Sequence, residues 1–365
     1  MSARSERPPA TAATVLRLLP PSLLLPLLAV LAAFAIGCLL VLAMGVAPTK
    51  AIAAFADGAF GSAYAISVSL NRAVVFALVG LGFVLANRAN LTNVGGEGQI
   101  AVGGIAATAL ALQDGIAGLG LGLAFILPML GAVLAGAFWG GIAGVLKVRA
   151  GTNEVISTLL LSFIAIWLVY WCVQSEDLLR QSMTTSATLP ESAEIAEAAQ
   201  LPLLTGDYAA PVTIGLPIAV VLAGLIAVLL GRSRFGFNLR AVGLNPVAAA
   251  RAGIAQRRTV VLALTIAGAF GGLAGAMMLL GEQWSLKAGF SSGYGFDGLV
   301  VGLLARGSVP GVIAGALLFG FLRSGGISME MVAAVPTALV MVIQGLIVLA
   351  VAGAAFWLDR REAAR

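Results

Sequence analysis

Asn93-Val94-Gly95-Gly96-Glu97-Gly98-Gln99 sets an acid and two amides in a glycine-rich turn between two apolar runs. Such a break costs several kcal/mol if its freed backbone groups or its charge meet lipid, so it persists where protein or a water-filled path surrounds it. Further along, Gly295-Phe296-Asp297-Gly298 repeats the pattern, with Gly95, Glu97 and Gly98 answering to Gly295, Asp297 and Gly298. Two polar breaks in register point to a duplicated half and make the breaks candidates for a transport path.

The surrounding composition places these breaks in a bilayer. Of 365 residues, 60% are hydrophobic and 10% charged, and the mean hydropathy is +1.03; water-soluble domains carry roughly 25% charged residues. The net charge of +5 is mostly arginine beside the ends of apolar runs, where it sets orientation, so no nucleic-acid partner is needed to account for it. Histidine is absent and Cys38 and Cys172 lie in apolar segments, so neither a structural disulfide nor a Cys/His metal site is expected. Ala35-Ile36-Gly37-Cys38 looks like a lipoprotein cleavage site, yet apolar residues continue to Val46, too long for a signal core, which predicts a retained first helix.

Arg4, Arg7 and Arg17 lie in a cytoplasmic tail over 1–20, and Leu23 to Val46 carries no charge. Residues 47–65 read as an outer connection, and a span over 68–87 returns to Arg88. After the turn at 93–99, residues 100–112 are apolar but short and predict a broken or half-helix. Leu119 to Val145 is a further span with Gly136, Gly140 and Gly144 on one face, a small-residue stripe that packs against a neighbouring helix. Lys147 and Arg149 mark its inner end, and Thr152 reads as the N-cap of a span reaching Val173, with Asn153 and Glu154 in its first turn.

Residues 174–211 set Glu176, Asp177, Glu191, Glu194, Glu197 and Asp207 against Arg180, an outer loop. Past a span at 212–230, residues 231–258 carry Arg232, Arg234, Arg240, Arg251, Arg257 and Arg258 and no acid, a cytoplasmic coupling loop by the positive-inside rule. A span over 259–281, with Gly268, Gly271, Gly272 and Gly275, ends near Glu282. Residues 294–305 and 309–323 each read as too short to cross unaided, with Arg306, Pro310 and Gly311 between or beside them. A last span over 332–356 leads to Asp359-Arg360-Arg361 in a cytoplasmic tail, 357–365. The reading is an all-α polytopic membrane protein of about ten transmembrane helices with two broken or half-helix elements and both termini cytoplasmic. Its single transmembrane domain covers 21–356, the halves 21–174 and 212–356 forming an inverted repeat.

No stretch matches the G-x-x-x-x-G-K-[ST] phosphate loop, so ATP hydrolysis by this chain alone is not expected. Nor is there a histidine base or a G-x-S-x-G nucleophile turn, so no catalytic residue is assigned. Leu244 to Gly253 reads as a miniature helix with Asn245 as N-cap, Pro246 at the first position and Gly253 at the end. It either covers a helix-to-helix turn or docks into a cleft on a cytoplasmic ATPase, with Arg240, Gly243, Asn245, Pro246 and Arg251 as the coupling residues. Asn153 with Ser157, and Glu154 with Thr158, are spaced i, i+4 and form a polar strip that serves capping and interhelix bonds or lines the path. Glu97 and Asp297 brace the broken helices or face the path. Trp284, Tyr294 and Phe296 stack on a purine or sugar ring or anchor the interface. The candidate path residues are Asn93, Glu97, Gln99, Asn153, Glu154, Ser157, Phe296 and Asp297.

Four stretches resemble one known family, in order. Asn93 to Gln99 looks like N-I-G-A-E-G-Q, Asn153 to Thr158 like N-E-V-I-S-T, Ala241 to Pro246 like A-V-G-L-N-P, and Gly295 to Gly298 like G-F-D-G. The chain is similar to the permease subunits of ABC importers of the branched-chain amino acid and ribose type, in the subgroup linked to nucleoside and simple-sugar uptake. Gly96 stands where that family has alanine, and Ser162 where asparagine is common, a change that bears on substrate contacts. The resemblance implies a permease of the bacterial inner membrane that moves nucleosides or related simple sugars inward, with pentoses or branched-chain amino acids as other cargoes. It implies a second permease subunit, homologous or identical, ATP-binding subunits that use ATP and Mg, and an extracytoplasmic substrate-binding lipoprotein; no cofactor is implied for this chain. Read without the resemblance, an ion- or proton-coupled secondary transporter using Glu97 and Asp297 fits duplication and broken helices equally well. A purely structural membrane scaffold leaves both acidic breaks unexplained.

Overall fold

A computed structural model describes residues 21–120, 122–182, 189–336, 338–346, 349–350 and 353; the arginines expected in the N-terminal tail and Asp359, Arg360 and Arg361 lie outside the described residues. Among the described residues the chain is helical, with β-structure limited to isolated bridges such as Arg180 to Ser192. In order come α1 (Pro21–Ala43), α2 (Pro48–Phe60), α3 (Ala63–Asn87), α4 (Gly96–Ala111), α5 (Leu123–Ala150), α6 (Glu154–Gln174), α7 (Gly215–Arg232), α8 (Arg234–Leu244), α9 (Pro246–Arg251), α10 (Gln256–Met278), α11 (Tyr294–Leu304) and α12 (Val309–Ala333).

Among the described residues six helices are long and apolar enough to cross a membrane: α3, α5, α6, α7, α10 with its extension to Gln283, and α12. A seventh span arises if Leu31–Ala43 and α2, bent by 119° at their break, count as one. Several boundaries differ from the sequence reading. The expected outer connection at 47–65 contains α2, whose Phe55 packs on the buried cluster of Val41, Ala51, Ala54 and Met329. Asn153, not Thr152, caps α6, its side chain accepting from Val155 N–H at 2.8 Å. The segment read as 309–323 runs on to Ala333, because tertiary contact overrides glycine's weak helix propensity: Gly325 sits against the Phe55 ring and Gly326 against Val340. The last span then begins later than 332, with helix at 338–346.

Ala59–Ser324 forms one compact unit. Within it α3 and α10 are central, their apolar stretches 78% and 72% buried, against 28% for α5, α6 and α7. Outward-facing Leu134, Phe138, Trp167, Trp171 and Leu225 give the outer helices an apolar face suited to lipid or another subunit.

Contacts set the direction of each pair. Gly82 of α3 lies against Ala267 and Phe270, while Val74 of α3 and Met277 of α10 both lie beside Gly215, so these helices run antiparallel. Gly80 and Phe83 of α3 meet Val301 and Gly302 of α11, and Arg88 meets Gly307, so α3 and α11 run parallel. Gln99 and Gly104 of α4 meet Gly271 and Gly275 of α10 in the same parallel sense. Each half-helix therefore packs along the long helix of the other half.

The small-residue stripes meet as expected. Gly136 abuts Gly268 and Gly272, Gly140 abuts Leu264 and Gly268, and Gly144 abuts Val261, which makes α5 and α10 antiparallel with backbones in contact. Gly268→Ala, whose methyl would overlap the Gly136 carbonyl, is expected to cost about 1–3 kcal/mol by overpacking. Gly224→Ala in α7 and Gly231→Ala, which meet nothing within 4 Å, are expected to be neutral or slightly stabilising. Thermal midpoints of the detergent-extracted variants check this; equal midpoints for all three would contradict the packing.

Candidate functional site

The first break begins where Asn90 takes a left-handed conformation and Leu91 N–H closes on Ala86 carbonyl at 3.2 Å. Asn93 and Gln99, both buried, then pair through their amides: Asn93 Nδ2 donates to Gln99 Oε1 at 3.1 Å and Gln99 Nε2 donates to Asn93 Oδ1 at 3.2 Å. Asn93 Oδ1 also accepts from Gly95 N–H at 3.0 Å. From α6, Thr158 Oγ1 accepts from Val94 N–H at 3.1 Å and Ser162 Oγ accepts from Gly98 N–H at 3.3 Å. Ser162, expected at a substrate contact, is fully buried and donates onward to Thr158 carbonyl at 3.1 Å, so here it supports the turn.

Glu97, in the first turn of α4, carries the connection to the second break. It is 3% exposed. Its Oε1 accepts from Gly293 N–H at 2.8 Å and its Oε2 from Gly295 N–H at 2.7 Å. Gly293 is the N-cap of α11 at φ +83°, a conformation natural to glycine, and it has no side chain with which to cap. A side chain from 196 residues away therefore does the capping. The helices touch here through backbone, since a Cβ on Gly295 would overlap Glu97. Two N-termini thus meet, each carrying the equivalent of about half a positive charge, with one carboxylate between them.

The other end of α11 is held from the first half too. Arg306 and Gly307 turn in the left-handed region, and Arg88 Nη2 donates to Gly307 carbonyl at 2.5 Å. Segment 88–97 so places an acid at one end of α11 and a base at the other, the polarity a helix dipole favours.

Asp297 and Phe296 sit in the first turn of α11, both partly exposed. Tyr294 is buried, stacked on Phe76 at 4.9 Å and 11° and covered by the Arg323 guanidinium at 5.0 Å, so its ring faces are occupied by protein. Asn153, Glu154 and Ser157 form a separate cluster at the start of α6: Glu154 pairs with Lys147, and Ser157 donates to Thr152 Oγ1 at 3.1 Å and Asn153 carbonyl at 2.9 Å.

One pair escaped the sequence reading. Arg72, inside the apolar run of α3, donates from Nη2 and Nε to Glu282 Oε1 at 2.6 and 3.0 Å and from Nη1 to Ser324 Oγ at 3.1 Å. The available signal was the arginine itself, since a lone charge within a span is expensive and finds a partner. Glu282 lies in a π-helical turn, Leu279–Gln283, that continues α10 and ends at Trp284 in the left-handed region, φ 56°.

In the arginine-rich loop, Asn245 caps α9 as expected, accepting from Ala248 N–H at 3.0 Å, with Pro246 at the first helical position. The preceding helix α8 was not anticipated. Arg240 ties it to the end of α7 through Leu230 carbonyl, and Gly243 rests on the backbone of Arg88 and Ala89. Leu244 and Val247 are 87% and 61% exposed, Arg251 is exposed, and Ala249 is buried beneath.

The family model described as "Branched-chain amino acid transport system / permease component" matches residues 65–352. A guanosine ABC transporter permease protein of Bacillus subtilis is 34% identical, over 90% of this chain and 93% of its own length. A glucose ABC transporter permease protein of Haloferax volcanii is 35% identical, over 89% and 85%. A nucleoside ABC transporter permease protein of Lactococcus lactis is 32% identical, over 87% and 89%. No solved structure matches the chain. The head-to-head breaks, the motifs around them and these alignments over most of the sequence converge: the chain belongs to the branched-chain amino acid transport system permease family, the membrane components of ABC transporters.

Proposed function

We propose that the chain is the membrane subunit of an ABC importer that carries nucleosides or related simple sugars into the cytoplasm across a bacterial inner membrane. The observation that carries this reading is the Glu97 junction, which joins the two halves where half-helix N-termini turn toward each other, the arrangement by which transporters build a path from discontinuous helices. The relatives named for guanosine, nucleosides and glucose set the cargo class. Asn93, Gln99, Asn153, Glu154, Ser157, Phe296 and Asp297 are assigned to the path or to the walls that position it, with partly exposed Phe296 and Asp297 nearest to solute. A secondary carrier is disfavoured because both Glu97 oxygens already serve backbone N–H groups.

Energy enters through separate ATP-binding subunits that use ATP and Mg. Their contact is α9, where exposed Leu244 and Val247 present apolar surface beside Arg251, and α8 passes motion through Gly243 to the Arg88 turn and so to both breaks. A second permease, homologous or identical, completes the path, and an extracytoplasmic lipoprotein delivers solute. The reading keeps about ten membrane elements in an inverted repeat, with both termini and the 231–258 loop cytoplasmic and the 174–211 loop outside.

In a cysteine-free background, cysteine at Ala193 or Ala196 is expected to label from outside, and at Ala252 or Ala255 only after permeabilisation; all four positions are exposed. Outside labelling at Ala255 would reverse the orientation. Leu244→Ser with Val247→Ser is expected to weaken co-purification of the ATP-binding subunit about tenfold or more while leaving this chain's thermal midpoint unchanged, because both side chains are exposed. Unaltered association would remove α9 from the interface. Glu97→Gln turns an NH2 toward one of the two glycine N–H groups and is expected to cost about 1–3 kcal/mol, lowering folded yield and uptake together. Loss of uptake at full thermal stability would make Glu97 a solute contact instead of a brace.

A further inference from the structure

A cavity of about 630 Å³ opens on the face that carries the acidic 174–211 loop. Its walls come from the start of α3, the start of α5, the loop itself and the π-helical end of α10. Four aromatic residues line it: Tyr64, 57% exposed, Tyr208, 65% exposed, and the partly exposed Phe125 and Trp284. Glu282 also lines it, with Oε1 committed to Arg72.

Two features mark this cavity as built for more than filling space. Trp284 holds a left-handed backbone that costs a non-glycine residue energy, and strain of this kind persists at sites where the side chain's position matters. It follows a π-helical turn, a distortion that recurs at functional sites. The wall is also fixed in place: Ile195 N–H donates to Trp284 carbonyl at 2.9 Å, Leu201 N–H to Leu280 carbonyl at 2.8 Å, and Asn71 Nδ2 to Pro211 carbonyl at 2.7 Å.

We propose that this cavity is a solute site on the permease itself, taking a neutral ligand with one planar ring and vicinal hydroxyls, the chemistry of a nucleoside. Aromatic faces stack on the ring regardless of which base it is, and the Glu282 carboxylate accepts from the hydroxyls. Arg72 holds Glu282 in the wall through Oε1. Arg72 also reaches Ser324, and the neighbouring Arg323 covers Tyr294, the first residue of α11. The inference rests on the nucleoside reading of function and adds a site to it.

The test uses membranes containing the assembled importer, the photoreactive nucleoside 8-azidoadenosine and labelled adenosine uptake. Cross-linking is expected on peptides containing Tyr208 or Trp284, abolished by excess adenosine. Trp284→Gly removes the ring while relieving the left-handed strain, so it is expected to fold at least as well as the parent and still lose cross-linking. Its uptake KM should rise about fivefold or more, the effect of one lost base-stacking contact. Glu282→Gln leaves Arg72 without its counter-charge and is expected to lower folded yield as well as raise KM, so the site is judged on Trp284→Gly. Normal adenosine uptake with no protected label in these peptides, or with an unchanged KM in Trp284→Gly, overturns the site and leaves the importer reading standing. Absence of nucleoside uptake by the parent complex overturns the site together with the nucleoside part of the functional reading.

Discussion

A helix that begins inside a membrane protein has N–H groups without intrahelical partners and no water to satisfy them, and α11 begins in this way. Its own N-cap is a glycine, so the acceptor has to come from elsewhere, and Glu97 supplies both oxygens. Much of the surrounding structure follows from that requirement. Glu97 must be held close, so Gly295 has no room for a side chain; its turn must be rigid, so the Asn93–Gln99 amide pair and the Thr158 and Ser162 hydroxyls close around it. The amide and hydroxyl groups of this turn satisfy one another, which is how a polar break survives in apolar surroundings.

The same segment grips α11 at its far end through Arg88, and α8 sits on the Arg88 backbone. A half-helix held at both ends by one short stretch of the other half moves with that stretch. Displacement at the arginine-rich loop therefore has a continuous route of backbone contacts and charge-assisted bonds to the place where the two halves meet.

The sequence made the helices and the two breaks legible because lipid imposes strong rules: long apolar runs, arginines at one side, small residues where helices touch. Gly136, Gly140, Gly268 and Gly272 were readable as a packing stripe for that reason and do meet. What the breaks do to each other was less legible. Symmetry paired Glu97 with Asp297 as equivalent residues, yet the bond runs from Glu97 to backbone amides, which have no sequence signature. The polar strip of α6 was read as serving capping and interhelix bonds or lining the path; Asn153 caps, Glu154 pairs with Lys147 and Thr158 holds the break, joined one turn further on by Ser162. Helix α12 was read as ending near 323, yet it continues to Ala333, where Gly325 meets the Phe55 ring. Arg72 was overlooked because its partner, Glu282, lies 210 positions away.

Separation along the chain also matters during synthesis. Glu97 leaves the ribosome 196 residues before Gly293, which at bacterial or eukaryotic elongation rates of roughly 5–20 residues per second is about 10–40 seconds. For that interval α4 is a half-span with an acid and no partner, unable to settle as an independent membrane helix. The first half must wait, sheltered by the insertion machinery or against α3 and α5, until the second half arrives to complete it. Nascent chains truncated before the second break leave Glu97 without the α11 amides that satisfy it.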